Sequence, residues 1–245
     1  MKVEKVSPYH DNRPKGEQVE EMFDTIAPAY DFMNRAMTLG IDRCWRKATV
    51  NEIASKSPSR ILDLATGTGD LAIEMAFKIP AAHITGADLS ENMLNQGRKK
   101  AAEKGLAERV EFVQADGTAL PMPDRSFDAV TIAFGIRNFE SLQNGYKEMY
   151  RVLKPGGRLL VLELSVPENR MVRPFYNFYT GCVIPFAGRM ISNDKSAYGY
   201  LRDSIREVPQ RDQMLKLMEG AGFSNNSYRS FTMGVCTLYD GQRLD

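Results

Sequence analysis

One stretch constrains this chain more than any other. Arg60–Ala65 (Arg-Ile-Leu-Asp-Leu-Ala) leads through Thr66-Gly67-Thr68-Gly69 into the helical pattern of Gly69–Lys78. A short apolar run bounded by glycines reads as a buried strand turning tightly into a helix. The alternation then repeats. His83–Asp88 reads as a strand, Glu91–Lys104 as a helix with Ser90 at its N-cap, and Arg109–Gln114 as a third strand. Phe127–Phe134 reads as a fourth strand, Leu142–Leu153 as a helix stopped by Pro155-Gly156-Gly157, and Arg158–Glu163 as a fifth strand. Strands separated by helices need crossover connections. The pattern therefore predicts an α/β fold: a mostly parallel, Rossmann-like sheet with helices on both faces.

The flanks break this rhythm. Met1–Gly16 is polar and reads as a flexible tail. Residues 17–55 read as an N-terminal helical cap. In it Val19, Met22, Phe23 and Ile26 keep helical spacing, Pro28 punctuates, and a further helix spans Ile41–Ala54. After Pro167 an aromatic-rich stretch without a clear strand predicts an insert at 167–195 beside the acceptor site. Asp212–Gly220 reads as a short amphipathic helix. Phe223–Phe231 and Gly234–Tyr239 predict an antiparallel C-terminal hairpin on the sheet edge. The 245 residues suit a single domain, 1–245.

Charge and cysteines narrow the function. Lys+Arg 32 against Asp+Glu 31 leaves +1, with no basic excess for nucleic acid. Cys44, Cys182 and Cys236 are scattered and odd in number, which favours a reducing cytosol over a disulfide framework. His10 and His83 are the only histidines, so no metal is expected. The first fifteen residues lack the apolar core of a signal peptide, and no apolar stretch is long enough to span a bilayer. A cytoplasmic location is expected.

The glycine loop points to a ligand. Gly67 and Gly69 let a ligand approach the backbone, and the helix behind them offers free N–H groups. Asp88 follows about 20 residues later, the usual offset for an acid that grips ribose hydroxyls. Asp116 ends the third strand. These acids gather at the carboxyl ends of adjacent strands, where open α/β sheets bind ligands. Gly67-Thr68-Gly69-Asp70-Leu71-Ala72 also satisfies the dinucleotide fingerprint, which alone does not separate NAD from S-adenosylmethionine. Asp63, four residues before Gly67, suits the ammonium of a methionine moiety, and Asp116 suits an adenine amino group. Acids attract a sulfonium and repel a pyrophosphate, so S-adenosylmethionine is the expected cofactor, with Leu89, Met93 and Ala133 among its contacts. The plainer reading makes the glycines turn or packing positions and lets Asp63 or Asp116 cap local backbone. Tyr150 and Lys154 match the spacing of a dehydrogenase pair, but Lys154 stands at a helix terminus and the match reads as coincidence.

Several further motifs carry a resemblance. They are Phe23-Asp24-Thr25-Ile26-Ala27-Pro28-Ala29-Tyr30-Asp31-Phe32-Met33-Asn34, Trp45-Arg46, Phe134-Gly135-Ile136-Arg137-Asn138, Arg151–Gly157, Glu163-Leu164-Ser165 and Tyr200–Ile205. With these the chain resembles the demethylmenaquinone and 2-methoxy-6-polyprenyl-benzoquinol methyltransferases, a family of class I enzymes that C-methylate a quinol ring. The resemblance implies that Thr68, Asp88, Asp116 and Gly117 contact the cofactor, which leaves as S-adenosylhomocysteine. It implies conversion of demethylmenaquinol to menaquinol, with a ubiquinone-pathway benzoquinol or another small phenol or lipid as alternatives. The chain departs from the family at Ala133 and Thr38, where serine is common, and at Asp42, where histidine is frequent.

Ring methylation requires an electron-rich carbon, and a free phenol with a pKa of about 10 must be helped towards phenolate. Arg137 is the candidate cation beside the oxygen. Asn138 and Tyr30 are candidates to orient the ring or relay the proton. Neither histidine is placed to act as base, which leaves a carboxylate acting through water or activation by Arg137 alone. The plainer readings are a salt bridge for Arg137 and core packing for Tyr30. In Arg170–Ile191, the side chains of Val172, Phe175, Tyr176, Tyr179 and Val183 share a face if the segment is helical, flanked by Arg170, Arg173 and Arg189. That face suits a polyprenyl tail or a bilayer surface, and otherwise a lid packed on the sheet. The expected partners are a polyprenyl quinol, peripheral contact with the inner face of the membrane through 170–191, and a second copy of the chain. A nicotinamide dehydrogenase and a non-catalytic S-adenosylmethionine sensor remain as other classes.

Overall fold

The computed structural model describes residues 1–9, 11–183 and 196–245. Seven strands form one sheet in the order β3-β2-β1-β4-β5-β7-β6. Strands β1 (Arg60–Leu64), β2 (His83–Asp88), β3 (Val110–Gln114), β4 (Phe127–Ala133) and β5 (Leu153–Leu164) run parallel. The hairpin β6 (Ser224–Phe231) and β7 (Cys236–Gln242) closes one edge antiparallel, with β7 against β5. From β1 the chain moves outward to β2 and β3, then returns to the other side of β1 as β4. That reversal opens a crevice between the carboxyl ends of β1 and β4.

The period of two in the strands builds two cores. Leu62 and Leu64 of β1 and Leu159 and Val161 of β5 face one side, where α6 (Leu142–Val152) supplies Tyr146 and Met149. Ile61 of β1 and Leu160 and Leu162 of β5 face the other, against Trp45, Val50 and Ile53 of α3 (Asp42–Ala54) and Leu71 and Met75 of α4 (Asp70–Lys78). Each fully buried aliphatic contributes roughly 1.5–3 kcal/mol. Ser90 caps α5 (Glu91–Glu103) by accepting from Met93 N, as its sequence predicts.

Two expectations need correction. The leading segment is docked rather than loose. Val3 sits at 0% exposure in the α6 core, and Glu4 Oε1 accepts from Leu142 N at the N-terminus of that helix, where a carboxylate is favoured. Pro155-Gly156-Gly157 does not separate helix from strand. It lies inside β5, where Gly156 takes φ +78° and Gly156 N bonds to Arg243 O.

The cap contains α1 (Lys15–Ile26) and α2 (Tyr30–Thr38) over the strand tips, whereas α3 packs on the sheet itself. Within the insert, α7 (Arg173–Phe178) continues into a π-turn at Tyr179–Val183, so the expected helix exists but is short. The part of 167–195 from 184 onward, including Arg189, lies outside the described residues, as does His10. Two helices follow, α8 (Ser196–Glu207), which sequence patterning did not predict, and α9 (Asp212–Gly220).

Candidate active site

The crevice holds a cavity of about 290 Å³ at the tips of β1, β2, β3 and β4. Of the expected contacts, Gly67, Asp88, Leu89, Met93, Asp116, Gly117 and Ala133 line it. Asp88 spans two loops: Oδ2 accepts from Gly67 N at 2.8 Å and Oδ1 from Ser90 N at 3.0 Å. Burial raises its pKa, opposed by these backbone donors. Asp116 caps local backbone, its Oδ1 accepting from Thr118 N and Oγ1, and the residue sits on the exposed rim of the cavity.

Asp63, Thr68 and Gly69 stand behind the loop and do not line the cavity. Asp63 is 1% exposed, with Oδ1 accepting from Thr131 Oγ1 at 2.7 Å and Oδ2 from Thr66 Oγ1 at 2.6 Å. Burial pushes its pKa up to about 6 against those two hydrogen bonds. It braces the glycine loop to β4. Thr68 Oγ1 donates to Asp31 Oδ1 and accepts from Lys100 Nζ. Gly69 is the N-cap of α4 at φ +78°, and a Cβ there would lie 2.6 Å from the Phe112 ring.

Backbone strain marks the same place. Ala65 and Phe134, the residues that follow β1 and β4, take φ +51° and +59°. Non-glycine residues so held cost on the order of 1–3 kcal/mol each and cluster at functional sites.

The charge of the lining decides what fits. Glu17, Glu20 and Glu140 join Asp88 and Asp116, and no lysine or arginine lines this cavity among the described residues. Burial and the neighbouring Asp24 and Glu17 carboxylates raise the pKa of Glu20. A pyrophosphate would meet repulsion on every side; a ligand carrying positive charge would not. Sequence reasoning missed these glutamates because they come from the cap and from the turn before α6, and only the fold brings them to the strand tips.

A second cavity of about 520 Å³ adjoins the first. Met22, Ile26, Met33, Met37, Trp45, Tyr176 and Leu201 give it a largely apolar wall drawn from α1, α2, α3, α7 and α8. Phe23, Tyr30, Phe134 and Asn138 line both cavities and form the partition between them. Arg137 is 6% exposed, and its Nη1 lies 2.6 Å from Oε1 of the buried Glu163. The expected salt bridge therefore exists, and Arg137 lines the cavity as well. Asn138 Oδ1 accepts from the Tyr200 hydroxyl at 3.0 Å. Burial raises the pKa of Tyr30 and pushes Tyr176 up to about 12, so both stay protonated donors at neutral pH. Thr38 Oγ1 donates to Asp42 Oδ1 at 2.7 Å, and Arg46 Nη2 lies 2.6 Å from Asp42 Oδ2. His83 begins β2, at the end of the sheet away from both cavities. Tyr150 and Lys154 bond to Asp245 and Asp128, apart from either cavity.

Among the described residues no cluster of three or more His, Cys, Asp and Glu could hold a metal ion, and no helix is long and apolar enough to cross a membrane.

Comparison with known proteins agrees with this geometry. A solved S-adenosylmethionine-dependent methyltransferase of Thermotoga maritima superposes with a TM-score of 0.62 at 18% identity, covering 91% of this chain and 99% of that one, which shows the fold. The demethylmenaquinone methyltransferase of Bacteroides fragilis is 46% identical over 236 residues, 96% of each chain. A ubiquinone/menaquinone biosynthesis C-methyltransferase of Geotalea daltonii is 47% identical, covering 94% of this chain and 97% of its own. The family model of the ubiE/COQ5 methyltransferases matches residues 11–243. With that match spanning nearly its whole length, the chain belongs to the ubiE/COQ5 methyltransferase family.

Proposed function

We propose that this protein transfers a methyl group from S-adenosylmethionine to a ring carbon of a reduced polyprenyl quinone, converting demethylmenaquinol to menaquinol. The observation that carries the reading is the pair of adjoining cavities, one ringed by carboxylates and one largely apolar, divided by only Phe23, Tyr30, Phe134 and Asn138. The names borne by the B. fragilis and G. daltonii relatives support the same chemistry. Bound in the smaller cavity, S-adenosylmethionine supplies an electrophilic methyl group.

The chain's own residues do the rest. Asp88 has lone pairs left over from Gly67 and Ser90 for ribose hydroxyls, and Leu89 and Met93 offer an apolar wall for the adenine. In the larger cavity Arg137, held by Glu163, brings a positive charge to the wall, where it would favour a quinol oxygen on which charge grows. Asn138 and Tyr30, on the partition, hold the ring against the donor, and this alignment lowers the barrier.

The tail leaves through the mouth, where Leu39, Ile41, Phe175 and Phe178 are exposed. Met171 and Phe175, each 78% exposed, extend that apolar rim and support a peripheral contact with a membrane surface. Flotation with lipid vesicles tests the contact: Phe175→Ser should weaken it, and no association of the wild type defeats it.

The enzymatic reading is tested by calorimetry with S-adenosylhomocysteine and with NAD, followed by labelled methyl transfer to demethylmenaquinol and to a demethylated benzoquinol, both kept reduced. We expect binding of the first ligand alone and product from the naphthoquinol. Absence of both binding and product overturns it.

A further inference from the structure

Lysines are almost never fully buried unless their ammonium is paired. Lys15 opens α1 at 6% exposure, and its partners are backbone carbonyls. Nζ donates to Val3 O at 2.9 Å, to Arg137 O at 2.9 Å and to Phe139 O at 3.3 Å. An ammonium carries three N–H donors, one for each of these oxygens. Two of the three carbonyls flank Asn138, on the turn Ile136–Asn138 and just beyond it. Among the described residues no backbone N–H meets either one, so Lys15 is the donor that satisfies them.

Asn138 is the residue so flanked, and it lines both cavities at 9% exposure. Its side chain is oriented from α8, where the Tyr200 hydroxyl donates to Oδ1 at 3.0 Å. Lys15 Nζ stands 6.0 Å from the centre of that same tyrosine ring, within reach of a cation–π contact. Helix α1 thus grips the backbone around Asn138 while α8 grips its side chain. Arg137 next to it has anchors of its own, with Nη1 meeting both Glu163 Oε1 and Phe134 O. The backbone clamp therefore matters most to Asn138. Lys15 itself lines neither cavity and acts at one remove.

We propose that Lys15 is a positioning residue for methyl transfer, acting through Asn138, which it holds at the partition between the two reactants. The inference rests on the two cavities' being the donor and quinol sites. With the clamp intact, Asn138 keeps the ring carbon in line with the methyl and the sulfur. Without it the turn shifts, and a misplacement of about 1 Å costs up to about 100-fold in rate.

The test is a double-mutant cycle of wild type, Lys15→Met, Asn138→Ala and the pair. Methyl transfer to reduced demethylmenaquinol gives kcat and KM, and calorimetry with S-adenosylhomocysteine reports the donor site. Burial and the Arg137 charge pull the pKa of Lys15 down to about 7, with the Glu140 carboxylate opposing, so the cycle is measured at about pH 6, where the ammonium predominates. Lys15→Met should lose about tenfold or more in kcat, with donor affinity unchanged within about threefold. In the Asn138→Ala background the same substitution should cost at least about fivefold less, because the group it positions is gone. A lysine that merely supports the fold would lower kcat by the same factor in both backgrounds.

Wild-type kcat in Lys15→Met or in Asn138→Ala overturns the proposal. So does a coupling below that fivefold mark, or a donor affinity that falls in step with kcat. Should Lys15→Met not fold, Lys15→Gln, which keeps two N–H donors, carries the same cycle under the same criterion of coupling. If the wild type itself transfers no methyl to a quinol, the failure lies in the functional reading instead.

Discussion

Asp63 shows how the structure adds a task that spacing alone does not reveal. Its place four residues before Gly67 suggests a ligand contact, and the structure shows its two oxygens also accepting from Thr66 and Thr131, the latter on a strand 68 residues further on. Spacing along one strand carries no information about what a neighbouring strand presents, so this bracing role was not legible in the sequence. Asp88 and Gly67 were legible because loop and acid belong to successive strands whose order the βαβ rule dictates. The buried carboxyl of Asp63 also gives a pH signature. Its folded pKa, about 6, stands above the ordinary 3.8, so the native state holds the proton more tightly than the unfolded chain. Its contribution is therefore most favourable below pH 4 and is lost as pH rises through 6. Denaturant unfolding of wild type and Asp63→Asn at pH 4 and pH 7 should show their stability difference moving against the wild type by roughly 2 kcal/mol. A constant difference would mean that Asp63 titrates normally. Arg137 makes a second prediction at this scale. Arg137→Lys keeps a charge beside Glu163 but loses the planar fork that serves Glu163 and the cavity together. We expect about 100-fold lower turnover with unchanged S-adenosylhomocysteine affinity by calorimetry.

Among the elements, four of the five parallel strands were legible to within a residue, because burial on both faces leaves continuous apolar runs, whereas β5 begins five residues before its expected start. The leading segment and α8 were not. Val3 is buried only because α6 offers it a seat, and the seating of Ala197 and Tyr200 of α8 depends on α1. Burial decided by a distant partner leaves no local pattern. Lys15 joins these parts: its Nζ donates to Val3 O, Arg137 O and Phe139 O, tying the leading segment to the turn that carries Arg137 and Asn138. Helix α1 itself brings Glu17 and Glu20 to the donor cavity. Replacing both with Gln should weaken S-adenosylmethionine binding about tenfold in low salt and by less in high salt, because partly exposed charges are screened. Calorimetry should find S-adenosylhomocysteine, which lacks the sulfonium, less affected. Equal losses for the two ligands would assign these glutamates to shape rather than charge.

At the scale of the whole molecule, charged side chains stitch the cap to the sheet. Asp24 of α1 accepts from Ser90 Oγ and Asn92 N at the head of α5. Asp31 of α2 pairs with Lys100, Lys100 with Asp70, Asp70 with Arg46, and Arg46 with Asp42. A chain of contacts thus runs from α2 through α5 and α4 to α3. Hydrogen–deuterium exchange should show α1 and α2 slowed together when S-adenosylhomocysteine binds; slowing of α1 alone would deny that the two helices act as one body.

Helix α1 turns Glu17 and Glu20 towards one reactant's chamber and Met22 and Ile26 towards the other's. Both chambers share one roof. A displacement of α1 is therefore felt in both chambers at once.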